Sequence, residues 1–263
     1  YGDHRDLHSF PTRRSSDLMG VSTVITSGKG GVGKSTVSVG LGRALAQRGR
    51  RVLLIDCDAG LRSLDRMTGT EEALVFDLSD VIQGRCAPAD AIYPCTETEG
   101  LFLLPAPSSG EDMASPSVMR RLVPLLKRYY DHVVLDSPAG VGGGFRSAAC
   151  AADRALVVCS PDPVCVRSAS AVKRLLEKLA VPELRLVINR FNSRLFDETG
   201  VYSDLDNVID ASSIRLFGVV PEDYSLAAAF LKGKKAEEHS KGMMALCRIA
   251  GRLDGETIPL SVF

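Results

Sequence analysis

The stretch SGKGGVGKST, residues 27–36, limits what this chain can fold into more than any other part of it. A phosphate-binding motif, G-x-x-x-x-G-K-[ST], takes in Gly28, Gly33, Lys34 and Ser35. A dinucleotide-binding motif, G-x-G-x-x-G, takes in Gly28, Gly30 and Gly33. Both motifs need a strand before the loop and a helix after it, and residues 21–26 and 34–48 have those patterns. Because Lys34, Ser35 and Thr36 at the helix start are typical of a nucleoside triphosphate site, we favour that interpretation over the dinucleotide fold.

Short apolar runs alternate with stretches of helical spacing along the rest of the chain. The predicted strands are residues 21–26, 52–55, 101–104, 133–135, 155–159, 184–188 and 216–220. The predicted helices are residues 34–48, 117–130, 164–179 and 224–231. Since the strands are apolar without alternation, we expect both faces of the sheet to be covered. The sequence thus predicts an α/β fold with a mostly parallel twisted sheet, helices on both faces, and ligands at the carboxyl ends of the strands.

Length and composition favour one large domain. The chain has 263 residues, of which 45% are hydrophobic, and no linker interrupts its middle. We expect residues 19–263 to form this domain. Residues 1–18 have neither an apolar core nor a helical period, so we expect a disordered or non-native tail there, with Met19 as the start.

Charge and cysteine content exclude several functional classes. Lys plus Arg and Asp plus Glu each number 32, so no net field attracts nucleic acid or an anionic membrane. The seven cysteines are scattered without any C-x-x-C pair, which is typical of reduced thiols in a cytoplasmic protein. No apolar run reaches the roughly 20 residues that span a bilayer.

Carboxylates follow two of the predicted strands. Asp56 and Asp58 end the second strand, and Asp136 ends the strand before a Ser-Pro-Ala-Gly turn. Beside a phosphate loop, such residues can bind Mg²⁺ directly or through water, or orient an attacking water. A helix N-cap is the alternative interpretation for Asp56 or Asp58.

Six ordered motifs, KGGVGKST, DCDAGLRSLD, VIQG, DSPAG, VINR and GVVPED, resemble those of one protein family. The chain is similar, over residues 21–253, to the MinD branch of the MinD/ParA family of deviant Walker A ATPases. This resemblance implies a Mg-ATP-dependent dimerising ATPase that acts as a spatial regulator of cell division. A flagellar-placement ATPase and a ParA-type partition ATPase are the alternatives.

The resemblance also assigns roles to individual residues. Lys29 matches the family's signature lysine, which reaches the phosphates bound by the other subunit, and Asp58 matches the residue that orients the hydrolytic water. The phosphate-binding positions are Gly28, Gly30, Gly31, Val32, Gly33, Lys34, Ser35 and Thr36. The magnesium positions are Ser35, Asp56 and Asp136. The adenine-side positions are Asn189, Arg190, Pro221, Glu222 and Asp223.

Partners and location follow from the same resemblance, with two departures. It implies an ATP-dependent homodimer and an activator or effector of MinC or MinE type, while the balanced charge gives no reason to expect nucleic-acid binding. Ser63 stands where the family usually has Asn, which affects partner contacts more than hydrolysis. We expect residues 251–263 not to form the family's basic amphipathic C-terminal helix, because Gly251, Gly255 and Pro259 interrupt any helix and residues 258–263 are more typical of a strand. We therefore expect a cytoplasmic protein without autonomous membrane binding, recruited to the membrane, if at all, through a partner.

Overall fold

The computed structural model describes residues 19–59, 62–107, 114–237 and 239–261. Its sheet has eight strands in the order β3-β4-β2-β5-β1-β6-β7-β8, and every neighbouring pair is parallel except β3–β4. The strands are β1 (Val21–Thr26), β2 (Val52–Asp56), β3 (Tyr93–Pro94), β4 (Leu101–Leu104), β5 (His132–Asp136), β6 (Arg154–Cys159), β7 (Glu183–Phe191) and β8 (Leu216–Pro221).

Ten α-helices connect these strands in the described part of the chain. They are α1 (Lys34–Gln47), α2 (Ser63–Thr68), α3 (Leu78–Ile82), α4 (Pro116–Leu126), α5 (Gly143–Ala149), α6 (Pro163–Lys178), α7 (Ser193–Thr199), α8 (Leu205–Ser212), α9 (Tyr224–Leu231) and α10 (Lys241–Leu253). Every residue of β2 and β5 is buried, as expected for strands covered on both faces. The predicted α/β fold with a mostly parallel sheet is confirmed.

The strand order determines where the functional residues meet. β1 lies between β5 and β6, and β5 also pairs with β2, so the loops after β1, β2 and β5 leave from one edge of the sheet. Asp56 and Asp136 are paired residues of β2 and β5 and end those strands together. This edge is the carboxyl edge, where open α/β sheets bind ligands.

The C-terminal segment differs from its prediction. Gly251 does not interrupt a helix, because α10 continues through it to Leu253. A Cβ on Gly251 would lie 2.4 Å from the Ile258 side chain, so the glycine lets the tail pack against the helix. Residues 258–261 form no strand, and residues 262–263 lie outside the described part of the chain, as does the predicted tail 1–18.

Hydrogen bonds from Arg252 hold the tail instead of strand pairing. Its guanidinium donates to the carbonyl oxygens of Ile258 at 2.9 Å and Pro259 at 2.6 Å, and also to that of Phe217 in β8 at 2.8 Å. Asp254, which follows α10, accepts from Arg48 Nε at 2.8 Å. The tail is therefore fixed to the sheet by side-chain contacts.

No helix among the described residues has the length and apolar character needed to cross a membrane.

Candidate nucleotide-binding site

The glycine-rich loop between β1 and α1 has backbone conformations that only glycine adopts easily. Gly31 and Gly33 have φ values of 76° and 91°, in the left-handed region. A Cβ on Gly28 would lie 2.6 Å from the Ser168 carbonyl oxygen. No side chain caps the start of α1, whose N-cap is Gly33. The first N–H groups of α1 can therefore donate to phosphate oxygens, as the motif predicts.

Lys34 supplies a buried positive charge at the start of α1. Lys34 is only 8% exposed. Burial lowers the pKa of Lys34, while the nearby carboxylates of Asp136 and Asp58 oppose that shift. A poorly hydrated ammonium beside a helix N-terminus attracts an anion strongly, and this favours its predicted role in phosphate binding.

Asp136 accepts two hydrogen bonds from serines of α1. Ser35 Oγ donates to its Oδ2 and Ser38 Oγ to its Oδ1, each at 2.7 Å. Burial raises the pKa of Asp136 to about 6, although both serine hydrogen bonds and Lys34 lower it. A hydroxyl and a carboxylate are the hard oxygen ligands that Mg²⁺ prefers, so the predicted pair of Ser35 and Asp136 fits this ion.

Asp56 shapes the backbone that follows β2. Its carboxylate accepts from the N–H of Asp58 at 2.9 Å and from the N–H of Leu64 at 3.3 Å. Burial, and then the neighbouring Asp136, raise the pKa of Asp56 to about 8, although these N–H groups oppose the shift. Asp58 itself is partly buried, and burial raises its pKa while Lys34 lowers it.

The three carboxylates do not form one metal cage. In the described residues, no group of three or more His, Cys, Asp or Glu side chains is arranged to hold a metal ion. Mg²⁺ at this edge would therefore depend on phosphate oxygens and water for most of its ligands, which is its usual behaviour in nucleotide enzymes.

Ser63 contacts this group of residues from α2, which the sequence did not predict. Its Oγ donates to Ser35 Oγ at 3.3 Å. Ser63, which we interpret from the resemblance as a departure from the family's usual Asn, therefore touches the serine predicted to bind magnesium. α2 is only six residues long, which is too short for its helical period to be recognised in the sequence.

Lys29 is half-exposed beside the start of α6. Its Nζ lies 3.8 Å from Asp162 Oδ1, and its side chain is 49% exposed. Ser27 Oγ donates to the Lys29 carbonyl at 2.7 Å, which fixes the backbone of the loop at this point. The ammonium is thus separate from the buried Lys34 and accessible from outside the molecule.

The five predicted adenine-side residues line one pocket with the phosphate loop. This pocket of about 210 Å³ is lined by Gly33, Thr36, Asn189, Arg190, Val220, Pro221, Glu222, Asp223, Tyr224, Leu226 and Ala227. The helix α9 was predicted from the sequence, but the part that its first turns play as one wall of this pocket was not. The available signal was that this predicted helix directly follows the Pro-Glu-Asp motif assigned to the pocket.

Two of the predicted pocket residues have structural contacts of their own. Asn189 Nδ2 donates to the Val32 carbonyl at 2.8 Å, so this amide supports the phosphate loop from within β7. The Asp223 carboxylate accepts four hydrogen bonds, from Leu226 N, Ser225 Oγ, Ser240 Oγ and Gly242 N. Burial alone would raise the pKa of Asp223, but these bonds hold it below its usual range.

Fold and site together define a P-loop nucleoside triphosphatase, and comparison with known proteins identifies the branch. Residues 23–236 match the family model described as the CobQ/CobB/MinD/ParA nucleotide binding domain. The septum site-determining protein MinD of Bacillus subtilis is 39% identical over 249 residues, 93% of this chain and 92% of that protein. The chain therefore belongs to the MinD/ParA family as a MinD-type ATPase, and ATP and Mg²⁺ are the cofactors of this class.

Solved structures agree with this assignment. The MinC:MinD cell division protein complex of Aquifex aeolicus includes a chain that superposes with a TM-score of 0.85 at 34% identity, covering 93% of this chain and 99% of that one. MinD of Pyrococcus horikoshii complexed with Mg-ADP has a TM-score of 0.80 at 30% identity, covering 90% and 96%.

Proposed function

We propose that this protein is a Mg-ATP-dependent dimerising ATPase that regulates where the division septum forms. The observation that carries the proposal is the convergence of Lys34, Ser35 and Asp136 at the phosphate loop, in a chain whose curated relatives include septum site-determining proteins.

The phosphate loop binds the nucleotide phosphates, and the residues at the carboxyl edge of the sheet orient them. N–H groups at the start of α1 and the Lys34 ammonium hold the β- and γ-phosphates, and Asn189 keeps the loop in shape through the Val32 carbonyl. Ser35 and Asp136 are the residues that would hold Mg²⁺, which when bound neutralises charge on the phosphate oxygens. The Ser35 hydroxyl could keep donating its hydrogen to Asp136, because its oxygen would still have a lone pair for the ion.

Asp58 and Lys29 complete the hydrolytic site in this proposal. Asp58 orients the attacking water, because it lies near Lys34 and is not fully desolvated. Lys29 reaches the phosphates of a second copy, where an ammonium stabilises the charge of the transferring phosphoryl group. Its exposure and its separation from Lys34 support a role outside its own subunit.

Exposed apolar side chains near Lys29 support a homodimer on this face. Val141 is 42% exposed and follows Gly140, whose N–H donates to Ser27 at the base of the loop. Val164 is 63% exposed and stands two residues after Asp162, the partner of Lys29. A second copy placed here would cover both valines as it brings Lys29 to the nucleotide.

A partner of MinC type is the effector that we propose, since a chain similar to this one forms a complex with MinC in the Aquifex aeolicus structure. An activator of MinE type is proposed on the family resemblance. Because Arg252 and Asp254 hold the described C-terminal tail against the domain, we propose that such a partner, and not this tail, provides any attachment to the membrane.

The proposal is tested by combining enzymology with cell imaging. Purified protein should hydrolyse ATP in the presence of Mg²⁺ and elute as a dimer when ATP is bound, and Lys34→Ala should do neither. In the native host, deletion of the gene should move septa away from their normal position. Correct septa with altered flagellar number would favour the flagellar alternative, and missegregated DNA would favour partition.

A further inference from the structure

Arg43 is a buried arginine in the middle of α1, the helix that begins at the phosphate loop. The residue is 3% exposed. Among the residues that the structure describes, no carboxylate lies within ion-pair distance of it. Burying a guanidinium costs free energy unless its N–H groups find good acceptors. The contacts of Arg43 should therefore matter to the protein.

Those contacts join two other elements to α1. Arg43 Nη2 donates to the carbonyl of Met67, in α2, at 3.0 Å. Its Nη1 donates to the carbonyl of Lys234, in the segment after α9. The guanidinium carbon also lies 4.7 Å from the ring centre of Phe230 in α9, a cation–π contact. One side chain of the phosphate-binding helix thus holds both α2 and the end of α9.

The opposite ends of α2 and α9 lie in the nucleotide site. At the start of α2, Ser63 contacts Ser35 and the Leu64 N–H donates to Asp56. The first turns of α9 line the adenine-side pocket through Leu226 and Ala227. Arg43 therefore connects the helix beside the magnesium residues to the helix beside the base.

α2 and α9 also touch each other close to the carbonyls that Arg43 binds. A Cβ on Gly233 would lie 2.9 Å from the Arg66 carbonyl oxygen and 3.1 Å from Gly69 Cα. Gly233 has a φ of 66°, so both its conformation and its surroundings require glycine. The exposed Arg66 Nε adds a hydrogen bond of 3.3 Å to the Leu231 carbonyl.

From this geometry we propose that Arg43 is a positioning residue that couples the adenine-side pocket to α2 and thereby sets Ser63 and Asp56 against the metal-binding pair. The proposal rests on the ATPase function proposed above. A base in the pocket fixes α9, Arg43 transmits that position to the end of α2, and α2 presents its first turn to Ser35. Arg43 acts through these contacts and does not touch the nucleotide.

The test compares Arg43→Met, which keeps an unbranched apolar stem but removes all donors, with Arg43→Lys, which keeps the charge. Arg66→Ala is the matched control, because it removes the exposed arginine–carbonyl contact between the same two segments. All are assayed for kcat and KM with Mg-ATP at a temperature where thermal melts show full folding. Hydrogen exchange of peptides covering α2 is measured with a non-hydrolysable ATP analogue, using α6 as the internal reference.

We expect Arg43→Met to lower kcat by about tenfold and to speed exchange in α2 but not in α6. Arg43→Lys should recover part of kcat, and Arg66→Ala should change kcat less than about twofold. If Arg43 has a purely structural role, Arg43→Met will lower the melting temperature but leave kcat of the folded protein and exchange in α2 unchanged. That result would overturn the coupling. If Arg43→Met does not fold, Arg43→Gln, which removes the charge, takes its place, and wild-type kcat together with wild-type α2 exchange in that variant overturns the coupling equally. If the wild-type protein does not hydrolyse ATP, the proposed function itself is refuted.

Discussion

The hydroxyl of Ser35 and the carboxylate of Asp136 lie 2.7 Å apart, although 101 positions separate them in the sequence. Parallel pairing of β1 with β5 produces this proximity, since it brings the phosphate loop and the end of β5 to one edge of the sheet. The pair joins the helix that binds phosphate to the strand that carries the acidic group.

Replacement of Lys34 should remove nucleotide binding. We expect Lys34→Ala to weaken ATP binding by about 100-fold or more, equivalent to at least about 2.7 kcal/mol, because Lys34 is the buried cation at the first position of α1, next to the phosphate loop. Calorimetric titration of ATP into each protein measures this. Lys241→Ala, which removes an exposed lysine at the start of α10, is the charge-matched control and should bind normally. Unchanged ATP affinity in Lys34→Ala would refute the phosphate-loop assignment.

Stability without nucleotide should depend on pH through Asp56. Its pKa in the folded protein is raised to about 8, against about 3.9 in an unfolded chain. Between these values the folded state binds more protons than the unfolded state, so Asp56 lowers the free energy of unfolding as pH rises from about 4 to 8.

The variant Asp56→Asn isolates this effect, because the amide cannot ionise. Thermal melts across this pH range should show the difference between Asp56→Asn and the wild type growing in favour of the variant as pH rises. His132, whose pKa is lowered by burial, acts in the opposite direction but is common to both proteins. A pH-independent difference would show that Asp56 does not titrate in this window.

Asn189 provides a test of whether the adenine-side pocket reads the base. Since its Nδ2 is bonded to the Val32 carbonyl, we expect Asn189→Ala to weaken the phosphate loop and to reduce binding of ATP and of inorganic tripolyphosphate by similar factors. Competition binding of both ligands measures this. A loss confined to ATP would instead assign the amide to base recognition.

Substitutions of Asp58 and Lys29 should affect nucleotide binding, dimerisation and hydrolysis differently. Asp58→Ala should bind Mg-ATP and dimerise but lose hydrolysis, because it removes only the group that orients water. Lys29→Ala should lose both dimerisation and hydrolysis, since its ammonium serves the other subunit. Light scattering after gel filtration, with a phosphate-release assay, distinguishes the two. Normal hydrolysis by a dimeric Lys29→Ala protein would exclude the role between subunits.

Local signals explain what the sequence could predict. The phosphate loop, β1 and α1 are contiguous, so their motif was sufficient, and the acidic residues of β2 and β5 are recognisable as strand ends. The role of Arg43 was not predictable, because its acceptors are backbone carbonyls far away in the chain. The prediction that Gly251 interrupts a helix was wrong for a different reason. Its effect on α10 depends on packing against Ile258, which helix propensity alone does not include.

The described C-terminal tail is unlike a membrane-binding helix. A surface-binding helix needs an apolar and a basic face over several turns, and two copies in a dimer to gain affinity. After α10, the described tail is not helical and is held by Arg252, while Asp254 and Glu256 carry the wrong charge for anionic lipid. We therefore expect Asp58→Ala, which should stay dimeric with Mg-ATP, not to sediment with anionic liposomes.

A truncated protein makes this test specific. Removal of residues 257–263 leaves α10 and Asp254 in place, whereas a cut at residue 251 would damage the helix itself. Both the full-length and the truncated Asp58→Ala proteins should remain in the supernatant with Mg-ATP and with Mg-ADP. Sedimentation that requires ATP and disappears on truncation would show that the tail detaches from Arg252 in the dimer and binds the membrane directly.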